Sequence, residues 1–193
     1  MINKLHVGCG NDYRSDFINL DYGKRHKTDV EFDLENIPLA RLPFPGDRFE
    51  HMLMSHVLEH LSNPLAVMQE LHRVMKPGGT IEIHVPYGSS DNAFEDPTHK
   101  RNYFLGSWQY FSQAAYQRAD YGYRGDWRIT NRTLRIAKHS PAYHMQEDLP
   151  NALRLAMTGR NVVDEMSALL TAVKPIRKPK DASEKAPISF MFV

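Results

Sequence analysis

Cysteine is almost missing from this 193-residue chain. Cys9 stands alone, which excludes a disulfide within the chain and suits a reducing compartment. No apolar run approaches the roughly 18 to 20 residues of a membrane span. The first residues, Met1-Ile2-Asn3-Lys4-Leu5, lead straight into a strand-like segment with no sign of a secretory leader, so the expectation is a cytoplasmic protein. Neither sign of charge dominates: 24 Lys and Arg face 23 Asp and Glu, for a net charge of +1. Such a balance gives no general field to draw the chain to nucleic acid or to an anionic membrane. Internal repeats and long low-complexity segments are also absent. At this length a chain buries about 70% of the surface its unfolded form exposes, enough for one domain with its own core.

The first half alternates strand-like and helix-like segments. Lys4–Val7 reads as a strand ending in the turn Gly8-Cys9-Gly10-Asn11, and Phe17–Asp21 as a second strand ending on an acid. Asp29–Asp33 is a weaker third, again ending on an acid, and Phe49–Ser55 a fourth. The spacing of Leu65, Val67, Met68, Leu71, Val74 and Met75 predicts a helix over 63–75, with Asn63-Pro64 as cap and first turn. Lys76-Pro77-Gly78-Gly79 stops it, and Thr80–Val85 follows as a fifth strand. This rhythm predicts a mostly parallel, doubly wound α/β sheet that binds ligands beyond the carboxyl ends of its strands. Further on, Trp127–Ala137 reads as a strand, 147–173 as one or two helices broken near Gly159, 174–187 as a solvated loop, and 188–193 as a closing strand. The expected organisation is a single domain. Residues 1–86 form the cofactor half, 87–187 a substrate and cap region with a helical insertion, and the closing strand is antiparallel.

Gly8 and Gly10 let the backbone turn at positive φ and approach a ligand closely. A carboxylate at the tip of the next strand, Asp21, can accept from both hydroxyls of a ribose. A dinucleotide fingerprint does not fit. Its third glycine would stand at position 13, which is tyrosine, and the acid arrives too early in the chain. A ribose-bearing cofactor without phosphates fits better.

Four stretches, KLHVGCGNDY with FINLDYG, FDLENIPLA, FEHMLMSHVLEHLSNP and QELHRVMKPGGTIEIHVP, span most of residues 4–86. Together they resemble the class I S-adenosylmethionine-dependent methyltransferases, particularly the small type-11-like members. The last two, in this order and spacing, carry most of the resemblance. It implies a Rossmann-like fold and S-adenosylmethionine as cofactor. It places Gly8, Cys9 and Gly10 at the methionine part, Asp21 at the ribose and Tyr22 along the adenine. By the same resemblance Asp33 and the backbone of Leu34 lie near the adenine, and Ser55, His56 and Val57 line the cofactor. The chain departs from the family in one place: between Gly10 and Phe17 there is little room for the usual helix, which leaves the methionine end more open.

Other readings compete locally. His56-Val57-Leu58-Glu59-His60 matches the inverted zinc-peptidase motif H-x-x-E-H, with His56 and His60 as a metal pair. That motif needs a well-formed helix and a third ligand. Here it follows directly from a strand, and the methyltransferase pattern accounts for the same residues, so no metal is expected. Glu95-Asp96-Pro97-Thr98-His99 lies beyond the fifth strand, where substrate would sit. His99 with Asp96 is either a general base pair or simply a capped turn. The aromatics from Tyr103 to Tyr123 are either a lid or stacking surface, or core packing. Cys9 reads as a small apolar residue without a partner to make it a nucleophile. The expected activity is methyl transfer to a small-molecule or glycan-type acceptor. A non-catalytic cofactor-binding module is the alternative, and a zinc hydrolase a lesser one.

Overall fold

The computed structural model describes residues 2–23, 26–116, 120–179 and 186–193. Its strands are β1 (Lys4–Val7), β2 (Ile18–Asp21), β3 (Val30–Glu31), β4 (Phe49–Ser55), β5 (Met75–Pro86), β6 (Trp127–Ile136), β7 (Glu165–Ala172) and β8 (Ile188–Phe192). They join in one sheet in the order β3-β2-β1-β4-β5-β7-β6-β8. The chain steps outward through β1, β2 and β3, returns to lie beside β1 as β4, and then steps the other way to β5, all in parallel. The reversal between β1 and β4 opens a crevice past their carboxyl ends, the place where open α/β sheets bind ligands.

Helix α1 (Pro64–Val74) connects β4 to β5. The Asn63 side chain accepts from the Ala66 amide at 3.1 Å, and Pro64 occupies the first turn, where its missing N–H costs nothing. One face of α1 buries Val67, Met68, Leu71 and Val74 in the core, and the Trp127 indole N–H donates to the Met68 carbonyl at 3.1 Å. Helix α2 (Asn92–Glu95) is a single turn, and α3 is Leu149–Thr158.

The helical expectation for 147–173 is half wrong. Helix α3 stops at Thr158, and Glu165–Ala172 is a strand paired antiparallel with both β5 and β6. Met166, Ala168, Leu170 and Ala172 are buried while their alternates are half-buried, a period of two. Alanine, leucine and methionine favour helices in isolation, but pairing on both sides overrides that preference. The terminal segment does close the sheet as a strand, yet it runs parallel to β6, so β7 is the antiparallel member. The expected solvated loop after Lys174 is also tied down at its start. Arg177 is largely buried, and its guanidinium forks onto the fully buried Asp126 at 2.7 and 2.9 Å.

Strand β5 shows how the sheet is layered. Ile81, Ile83 and Val85 are fully buried, whereas Thr80, Glu82 and His84 between them are half-buried and polar. Their partners on β7 repeat the division. One face thus carries the core and the other is partly solvated, a pattern more usual for antiparallel sheets. Of the aromatic segment, Tyr103, Trp108, Phe111, Tyr116 and Tyr123 belong to the core, while Phe104, Tyr110 and Tyr121 are exposed.

Candidate functional site

The crevice is built first by the turn after β1. The amides of Gly8 and Cys9 both donate to the Leu20 carbonyl, at 2.8 and 3.1 Å, which folds the chain back over β2. Gly8 and Gly10 sit at φ +66 and +51. A Cβ on Gly8 would collide with the Val57 side chain, so the turn after β4 fixes this position as glycine. No helix forms in the link from Gly10 to Phe17. The Asp21 carboxylate closes the turn: Oδ2 accepts from the Gly10 amide at 2.7 Å and Oδ1 from the Tyr22 amide at 2.7 Å. Two carboxylate oxygens offer about four acceptor positions, so two remain for ligand hydroxyls. Asp33 caps the short 3-10 turn Leu34–Asn36, accepting from the Glu35 amide at 2.9 Å.

These pieces wall a cleft of about 800 Å³, within the usual range of about 300–1,000 Å³ for small-molecule sites. Of the residues expected from sequence, Gly8, Gly10, Asp21, Tyr22, Asp33, Leu34, His56 and Val57 line it. Cys9 and Ser55 do not. The Cys9 thiol is buried, with its Sγ 3.8 Å from the carbonyls of Gly10 and Lys27. Burial, and then the Asp21 charge, push its pKa up, away from a thiolate. Ser55 ends β4 paired with His84. The cleft is also lined by His60, Pro97, Thr98 and Lys100, and Lys100 donates to Glu35 at 2.9 Å.

His99 and Asp96 are not brought to the cleft as a pair. His99 lies behind His60, with ring centroids 4.8 Å apart, and its side chain is 9% exposed. Its Nδ1 donates to the Ala93 carbonyl at 3.2 Å, and its Nε2 stays 3.9 Å from Asp96. Asp96 instead accepts from the Thr98 hydroxyl at 2.6 Å and the Thr98 amide at 2.8 Å, the capped turn. The Thr98 oxygen in turn meets His60 Nδ1 at 2.9 Å.

The H-x-x-E-H stretch does not form the peptidase helix: Leu58–His60 is a three-residue 3-10 turn. His56 and His60 belong to different clusters. His56, at φ +53, places Nε2 2.9 Å from Glu165 Oε2 and Nδ1 3.3 Å from Glu59 Oε1, the second an ion pair without hydrogen-bond alignment. Glu165, and then Glu59, raise its pKa to about 9, so it is a cation at neutral pH. Glu165 also holds His84 Nδ1 at 3.3 Å, and the two histidines together hold its carboxyl far below the usual range. The sequence does not single out Glu165, because the composition of its segment favours a helix. The alternation in β7 is the signal that places it.

Residues 7–83 match the model of a family described as Methyltransferase domain. The chain is 42% identical over 43 residues to the ubiquinone/menaquinone biosynthesis C-methyltransferase UbiE of Coxiella burnetii, a stretch covering 22% of this chain and 17% of that enzyme. It is 40% identical over 45 residues to the demethylmenaquinone methyltransferase of Chlamydia muridarum, 23% of this chain and 20% of the relative. The matched stretches are therefore only about a fifth or less of these relatives' length. A SAM-dependent methyltransferase structure from Archaeoglobus fulgidus superposes with TM-score 0.55 at 15% identity, covering 87% of this chain and 85% of that one. That likeness concerns the fold. The match to the methyltransferase domain covers less than half of the chain, and residues 7–83 carry the glycine turn closed by Asp21 and the crevice at the strand reversal.

Proposed function

We propose that the cleft binds S-adenosylmethionine and that the chain transfers its methyl group to a small-molecule or glycan-type acceptor. The supporting observation is the fit of the turn after β1. Gly8 has no room for a side chain against Val57, and the Asp21 carboxylate keeps acceptor positions free beside it. When bound, the cofactor supplies an electrophilic methyl group on a cationic sulfur. Gly8 and Gly10 let the backbone approach its methionine part, and Asp21 accepts from its ribose hydroxyls. Tyr22, Asp33 and Leu34 border its adenine. Protonated His56, beside the glycine turn on the cleft wall, complements the methionine carboxylate.

The acceptor is assigned to the part of the cleft lined by His60, Pro97 and Thr98, supplied in part by the region after Pro86. His99 and Asp96 act there from behind. Asp96 orients Thr98, Thr98 orients His60, and His99 packs on the His60 ring. Methyl transfer depends mostly on holding the acceptor in line with the methyl group, so these are positioning residues. A transfer assay with cofactor labelled in its methyl group, run across hydroxylated small molecules and sugars, tests the activity. Labelled product that disappears in His60→Ala is the expected result. Cofactor binding without transfer to any acceptor would instead support a binding module.

A further inference from the structure

We propose that Glu59, His60 and His99 form a binding site for a divalent first-row transition ion of the zinc class. A carboxylate oxygen of Glu59 and one nitrogen of each imidazole lie within 4.8 Å of one another. Bonds of about 2.0–2.1 Å in a tetrahedral shell put ligand atoms about 3.4 Å apart, so a modest contraction closes the set around an ion. Two imidazoles and one carboxylate are a donor set found in open zinc sites, where the fourth position is left to water or substrate.

Two independent observations point to an ion. The first is Glu59: it is 1% exposed, and neither carboxylate oxygen has a hydrogen-bond partner. A buried carboxylate in that condition is costly, and its remaining neighbour, His56 Nδ1 at 3.3 Å, is shared with Glu165. The second is the protonation pattern of the two histidines. The Ala93 carbonyl only accepts, so His99 Nδ1 carries a proton. Thr98 gives its one hydroxyl proton to Asp96 at 2.6 Å, so its oxygen accepts from His60, and His60 Nδ1 carries a proton too. With Nδ1 so engaged in both rings, Nε2 is the nitrogen each has left to offer an ion. A carbonyl behind one ring and a hydroxyl–carboxylate relay behind the other are the outer-shell arrangement that fixes metal-ligating histidines. The sequence pattern paired His56 with His60; the fold pairs His60 with His99 instead.

Titration of purified full-length protein, freed of metal by chelation, with Zn²⁺ by calorimetry tests the site without any cofactor present. One equivalent is expected to bind, and the same site loaded with Co²⁺ gives visible absorption bands of a low-coordinate ion. His60→Ala and His99→Ala, each checked for folding by circular dichroism, are expected to weaken binding by about 100-fold or more. Thr98→Val, which removes no ligand, is expected to weaken it by about 10-fold or more through loss of the outer-shell bond. Wild-type protein that takes up no stoichiometric ion, or folded variants that bind Zn²⁺ as wild type does, would overturn the proposal. Either result leaves the methyl-transfer reading untouched.

Discussion

Two side chains at the cleft carry most of what single substitutions can reveal. Asp21→Asn removes a charge that accepts from two backbone amides and, in the proposed complex, from the ribose. Hydrogen bonds to charged groups contribute about 1.5–3 kcal/mol, so cofactor affinity measured by calorimetry should fall at least about tenfold. Gly8→Ala forces a side chain into Val57 at a left-handed φ, and a loss of about 2 kcal/mol or more in denaturant unfolding is expected. His56 gives a pH signature. Its pKa is raised above the ordinary 6.5 to about 9, so its contribution to stability is complete below the unfolded value and is lost as pH climbs through the folded one. Melting temperature should decline between pH about 7 and about 9, and His56→Gln should flatten that decline. The side chain is half exposed, so solvent screening keeps the effect small.

Elements differ in how openly the sequence announces them. The cap at Asn63 and the helical spacing after it gave α1 to within a residue or two, and the glycine turn with Asp21 followed from residue chemistry. Strand β7 stayed hidden because its residues are good helix formers and its partners lie far away in the chain: β5 from one side, β6 from the other. Arg177 stayed hidden for the same reason. A basic residue in a proline-rich run reads as solvated until Asp126 is seen beneath it. Burial alone would raise the Asp126 pKa, but Arg177 lowers it on balance. Asp126→Ala removes a fully buried carboxylate that accepts from the Arg177 guanidinium and from two backbone amides, and breaking such a buried pair should cost about 3–5 kcal/mol in urea unfolding. Loss of less than about 1 kcal/mol would mean that the segment after Lys174 contributes little to holding the sheet.

At the scale of the molecule, the mostly parallel sheet and a ligand site beyond the carboxyl ends of its strands were readable from the rhythm of the first 86 residues, whereas the strand order came from the pairing in three dimensions. The sequence places Glu95–His99 near the same end of the sheet, but not the contact of Thr98 with His60, which joins residues from the two halves. The solvated sheet face also needed three dimensions: single strands show the alternation, but only the pairing of β5 with β7 shows that the polar residues share one side. Among the described residues no helix is long and apolar enough to cross a membrane. Isothermal calorimetry with S-adenosylmethionine and its demethylated product tests whether the cleft between the turns after β1 and β4 is a cofactor site. Saturable binding of one equivalent of each to the wild type, weakened in Asp21→Asn, is the expected result. A folded wild-type protein that gives no heat of binding with either compound would contradict it.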